Sequence, residues 1–212
     1  MNQAIAMPTG KAGELFIPAL GRTIQQVEWR EDDVYDHAQQ TVLAVTAGSK
    51  LKFFKDLTSK NLQHVNITTQ SKIPSQSEMV AFRIGVHIAQ AFGDNLVSDA
   101  DVIKFAHAAY LTFKLGDRLV MQGPVLKLQT GYGVTGSTTR NNTGVVTLGV
   151  PSAAAAPNLL VAQSITDKDD LNVEIIFDDT AWLNGGASMP TFASKVVAGV
   201  FIHGLIKKPL GA

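Results

Sequence analysis

Cysteine is absent from the 212 residues, so disulfides and thiolate-held metals are excluded at the outset. Charge is scarce as well, at 17% of residues, and Lys plus Arg equals Asp plus Glu at 18 each. A balanced chain lacks the positive footprint with which proteins hold nucleic acid, so no direct nucleic-acid binding is expected. No apolar run approaches the ~20 residues that carry a helix across a bilayer. The segment from Val196 to Ile206 comes nearest, and Gly199, His203 and Gly204 interrupt it. Met1 to Gly13 lacks the basic start and continuous apolar stretch of a signal peptide. The expectation is a soluble chain made in a cytoplasm. What the sequence does have is 45% apolar residues, enough for a substantial core in one β-domain or two very small ones. With so little charge, part of the surface is expected to be covered by neighbouring copies.

Short apolar segments with a period of two dominate the chain. Between Met79 and Ile88, Val80, Phe82, Ile84, Val86 and Ile88 fall on one face and Ala81, Arg83, Gly85 and His87 on the other, which predicts a strand. Leu171, Val173, Ile175 and Phe177 alternate in the same way, and Gln63 to Thr69 predicts another strand with Val65 and Ile67 inward. Strands are also expected over Glu14–Ile17, Ile24–Trp29, Val125–Thr130 and Lys195–Ile206. Thr41–Thr46 and Lys50–Phe54 flank Ala47-Gly48-Ser49, a candidate hairpin. Tyr110–Leu115 and Arg118–Met121 flank Gly116-Asp117, a two-residue hairpin loop with glycine first. Glu31-Asp32-Asp33 and Asp36 read as an acidic, solvated connection. One short helix is expected, capped by Ser98 with Asp101 three residues on and an apolar stripe of Val102, Ile103, Phe105, Ala106 and Ala109. Residues 131–144 and the alanine run between Pro151 and Pro157 read as loops. About ten short strands with frequent turns predict an all-β antiparallel sandwich or barrel, in which 1–13 form a flexible N-terminal arm and 14–212 a single domain.

Motifs that carry chemistry fail their context tests. Gly131-Tyr132-Gly133-Val134-Thr135-Gly136 has dinucleotide-binding spacing, but Ser137 to Asn142 lacks the apolar stripe of the helix that must follow. His37, His64, His87, His107 and His203 include no pair one residue apart on a strand; His87 and His203 lie on expected strands and could converge in space, although two ligands alone rarely hold a catalytic ion. Asp32-Asp33, the Asp167 to Asp170 run and Asp178-Asp179 lack calcium-loop spacing and sit where aspartate serves turns. Of the Asn-x-Thr sites, Asn66 and Asn141 qualify as glycosylation sequons, without a secretion signal to give them meaning. Trp29, Trp182 and Tyr132 are candidate stacking residues that more often pack. There is no Gly-x-Ser-x-Gly elbow and no phosphate-binding loop. The chain is therefore expected not to be an enzyme, with no catalytic, cofactor-binding or metal residues.

A wider layout carries a resemblance. Leu111 to Met121 leads into Gly123-Pro124-Val125-Leu126, a long Gly/Thr loop follows, and Val196 to Leu205 ends the apolar pattern. In architecture this is similar to the jelly-roll capsid proteins of icosahedral bacteriophages, particularly the tailless, lipid-containing groups. The resemblance implies a single jelly-roll with elaborated loops and no catalytic residues. It implies a structural subunit of a virion, assembled in the host cytoplasm into trimers, pentamers, hexamers or larger shells with other virion proteins. The lack of a basic arm favours a shell lying over a membrane or another protein layer. The alternative is a carbohydrate- or receptor-binding module of the same sandwich class, contacting its ligand through loops 131–144 and 179–192. A β-sandwich glycosidase using Asp178 or Glu174 is the third reading.

Overall fold

A computed structural model describes residues 7–9, 11–12, 14–25, 28–40, 45–58, 60–90, 99–128, 134–135, 147–148, 158–178, 192 and 195–207. The strands are β1 (Met7–Pro8), β2 (Glu14–Ile17), β3 (Arg22–Gln25), β4 (Trp29–Gln40), β5 (Lys50–Phe53) and β6 (Glu78–Gln90). The helix α1 (Asp99–Ala108) precedes β7 (Ala109–Leu115), β8 (Arg118–Pro124), β9 (Val134–Thr135) and β10 (Thr147–Leu148). β11 (Asn158–Thr166), β12 (Leu171–Phe177) and β13 (Val196–Lys207) complete the order. The fold is all-β, with antiparallel sheets and, among the described residues, one short α-helix. Two four-stranded sheets, β11–β6–β13–β4 and β5–β12–β7–β8, share one hydrophobic core, as a sandwich requires. Among the described residues, no helix is long and apolar enough to cross a membrane.

The pairing is nested about one turn. β7 pairs with β8 across Gly116-Asp117, β6 with β11, β5 with β12, and β4 with β13. β6 also pairs with β13 and β7 with β12, which closes each sheet. The central turn is the one expected, and Gly116 takes a φ of +57° that a side chain would resist. β12 shows why alternation works: Leu171, Val173, Ile175 and Phe177 are all fully buried while the residues between them are not. Each such burial is worth about 1.5–3 kcal/mol, so this strand alone anchors the second sheet. α1 plugs one end of the sandwich, with Phe105 edge-on to Phe177 at 5.1 Å and Phe192 against both rings.

The main departure from simple alternation is in β6. His203 pairs with Arg83, and Gly204 pairs with Ala81, so Phe82 is an extra residue. One inserted residue reverses which face the chain presents. Ile84, Val86 and Ile88 point into the main core as expected, but before the bulge it is Met79 and Ala81 that do so. Val80 belongs instead to a second cluster with Ile17, Ile24 and Trp29. Phe82 lies against the ring of His203 at 5.1 Å.

Several expectations need correction. Glu31-Asp32-Asp33 and Asp36 are not a solvated connection but part of the 12-residue strand β4, in which Asp36 is fully buried. Gln63–Thr69 buries Val65 and Ile67 but makes only isolated bridges, Asp36 to Val65 and Thr69 to Lys72. Ala47-Gly48-Ser49 does turn, with the Ser49 N–H donating to Thr46 O at 3.0 Å, and β5 pairs with β12, while residues 41–44 of the strand expected before the turn lie outside the described residues. β8 runs through Pro124, tolerated on an edge strand, and Val125–Lys127 is a 3-10 turn instead of a strand. Residues 41–44, Ser98 and most of loop 131–144 lie outside the described residues; within that loop Val134–Thr135 pair with Thr147–Leu148. Of residues 1–13, Met7–Pro8 pair with β2.

Candidate functional site

Side chains that could meet a partner gather on the outer face of the β11–β6–β13–β4 sheet. Along β13, Val196, Ala198, Val200, Ile202 and Ile206 fill the core, which leaves Gly199, Phe201, His203 and Leu205 facing out. One end of this face is covered by the small sheet β1–β2–β3. Ile17 and Ile24 pack there on Trp29 and Val80, and the Arg22–Glu78 and Lys207–Glu28 ion pairs, the latter at 2.9 Å, flank the contact.

Further along, aromatic rings and histidines line the face. His37 stands edge-on to Phe201 at 5.5 Å, and Tyr35 lies 5.9 Å from Phe201. The ring of His37 rests over Gly199, where a Cβ would come within 2.6 Å of it. His37 Nδ1 is 2.8 Å from the carbonyl oxygen of His64, which can only accept, so Nδ1 carries the hydrogen. His87 is half-buried, and burial first, then the neighbouring charge of His37, lowers its pKa below the ordinary value.

His203 is held between two carboxylates of β4. Its Nδ1 contacts Asp33 Oδ1, and its Nε2 lies 2.8 Å from Glu31 Oε1. His87 and His203 do not converge. His87 faces Gly199 and Arg83 faces His203, which separates the two histidines by about 13 Å along the sheet. Among the described residues, no group of three or more His, Asp or Glu side chains is set to hold a metal.

The acidic groups noted in the sequence are dispersed. Asp32 pairs with Arg30 at 2.9 Å. Asp167 accepts from the Gln76 N–H at 2.8 Å, and Asp169 accepts from the N–H and hydroxyl of Thr166 at 2.7 and 2.8 Å. Glu174 pairs with Lys50 at 3.0 Å on the other sheet, and the Asp178 N–H donates to Ala108 O. Trp29 is packed in the outer cluster. Trp182, Tyr132, Asp179 and Asn141 lie outside the described residues, as does the glycine motif except Val134–Thr135.

Two polar anchors were not foreseen. The fully buried Asp36 accepts from the Phe54 N–H at 2.5 Å, the His37 N–H at 2.8 Å and Lys60 Nζ at 2.7 Å. It thereby ties the first sheet to the segment that follows β5. Asn66, the sequon residue, accepts from the Tyr35 N–H at 2.9 Å and donates to Asp33 O at 2.6 Å. Its amide occupies backbone groups on the free edge of β4 in the manner of a neighbouring strand. A lone aspartate or asparagine carries no local pattern that reveals such a partner.

No protein-family model matches the chain, and no curated protein matches it.

Proposed function

We propose that this chain is a jelly-roll structural subunit of a virus or phage capsid, with copies of itself and other virion proteins as partners. The observation that carries the reading is the nested pairing about Gly116-Asp117. Every link between successive sandwich strands except β7–β8 crosses from one sheet to the other. Such crossing supports a jelly-roll reading, in which two interlocked Greek keys wrap one long hairpin into a barrel-like sandwich. The same architecture serves lectins and cupins. The inward face of the described strands is mostly apolar, and its buried Asp36 is engaged by Lys60 and backbone amides, whereas a metal-dependent enzyme of that class needs converging ligands inside.

The neutral composition fits a subunit whose contacts are with other protein surfaces, and gives no support to direct binding of a packaged genome. A rigid sandwich with adaptable loops also suits repeated symmetric contacts. The subunit would reside in the virion, over a membrane or an inner protein layer. Light scattering and negative-stain micrographs of the purified protein test the proposal. Trimers, pentamers, hexamers or closed shells are expected, and a strict monomer at high concentration overturns it.

A further inference from the structure

β4 is the last strand of its sheet, and a bare outer edge of that kind recruits other extended chains. Here a loop stands in for the missing strand. The chain leaves β5 at Phe54 and returns at Ser71, whose N–H donates to Phe54 O at 2.6 Å and closes the loop at its base. Along β4 the loop takes the edge group by group. Asn66 holds the Tyr35 N–H and Asp33 O with its side chain, and its own N–H donates to Tyr35 O at 3.3 Å. His64 O accepts from His37 Nδ1 at 2.8 Å, and Leu62 O accepts from the Tyr35 hydroxyl. Asp36 ties both parts of the loop to the sheet, taking the Phe54 N–H at the base on one oxygen and Lys60 on the other.

Two features set this cover apart from a strand. It is thinner, because one isolated bridge, Asp36 to Val65, stands where a full ladder would run. It is also strained: Phe54 and Ser71, at its two ends, both take a φ of 60°, a left-handed conformation that side chains resist. Asn61 to His64 are exposed, whereas Val65 and Ile67 are buried and hold the loop shut. Exposed segments with few buried apolar groups are where proteins open below global unfolding. We propose that Lys60–Ile67 is a guard over β4, which opens as one unit while the sandwich stays folded and uncovers an edge that accepts an extended peptide. The partner chemistry is main-chain N–H and C=O in register with Asp33 to His37, with an apolar side chain directed where Val65 sits. An incoming strand makes the regular ladder that Asn66 imitates with a side chain, and opening relieves the two left-handed residues. The guard concerns one molecule and stands apart from the shell reading, so failure of either leaves the other in place.

Amide exchange in graded urea, below the unfolding transition, tests the opening. Tyr35 and Asn66 are expected to exchange through one event with a shallower urea dependence than the β6–β13 ladder. A fluorescent synthetic peptide with the sequence of Lys60–Ile67 tests the edge. Its binding is limited by the open fraction of the protein, so loosening the guard must tighten it in proportion. Asn66→Ala in the protein removes the side-chain clamp. It is expected to raise the open fraction, and with it the apparent affinity for the peptide, about fivefold or more. Lys60→Met, which leaves the amides on Asp36, is expected to act in the same direction. A peptide of the same composition in scrambled order serves as the control. Tyr35 and Asn66 exchanging only with the ladder, or peptide binding no tighter in Asn66→Ala than in the parent, would overturn the guard. Equal binding of the scrambled peptide would do so as well.

Discussion

Gly204 offers a sharp test of the bulge in β6. A Cβ built there would lie 2.2 Å from the carbonyl oxygen of Val80 and 3.0 Å from Ala81 Cα. Both obstacles are backbone in the middle of a sheet, pinned on either side by β11 and β13, so neither can swing away. Overpacking a core costs about 1–3 kcal/mol even where side chains can yield. Gly204→Ala should therefore cost about 3 kcal/mol or more. Gly199, on the same strand, is the internal control. Its Cβ would meet the His37 ring first, at 2.6 Å. Turning that ring sacrifices one hydrogen bond, about 0.5–1.5 kcal/mol, against a gain of about 0.4–1 kcal/mol from a less flexible unfolded chain. Gly199→Ala should then be within about 1 kcal/mol of the parent. Urea unfolding should show Gly204→Ala shifted by about 1 M or more relative to Gly199→Ala, with similar slopes. Equal midpoints, or a stabilised Gly204→Ala, would refute the bulge and the register on both sides of it.

Asp36→Ala should cost about 3–5 kcal/mol, because it strands the Lys60 ammonium, 15% exposed, and the Phe54 N–H; a further Lys60→Met change should restore part of the loss in chemical denaturation. Asn66→Ala should cost about 1–3 kcal/mol and speed amide exchange at Tyr35, whose N–H it leaves open. His87 has its pKa lowered in the folded protein, so the unfolded chain binds the proton more readily. Its contribution to stability is intact above the ordinary value of 6.5 and is lost as pH falls from there through the lowered folded value. His87→Gln should flatten that limb of the urea midpoint against pH, and an unchanged limb would count against the cause.

Legibility in the sequence follows the physics of each segment. β12 is half-buried along its length, so period two shows through and its inward residues are correct, while β13 is legible as a strand. β6 is legible as a strand but not in its facing, because the bulge at Phe82 leaves no trace in hydropathy. β4 is hidden by its charges. Glu31 and Asp33 lie on the outer face with His203, and Asp36 is neutralised by partners 18 and 24 residues away in sequence. The segment around Val65 misleads in the opposite sense, since its apolar residues do point inward while Asn66 spends its amide on the edge of β4. The histidines can be placed on strands, but only pairing shows that His203 meets Arg83 while His87 meets Gly199.

The nesting of strands has a consequence for how the molecule is made. β13 lies between β6 and β4, and its ladder joins Trp29 to Lys207 and Met79 to Ile206. During synthesis, β4 and β6 emerge long before the strand that will separate them, each with a bare row of amides and carbonyls. Folding of the first sheet must wait for β13 and should be slow, as for other chains dominated by distant contacts. In that interval, the nascent chain is open to pairing with the wrong neighbour.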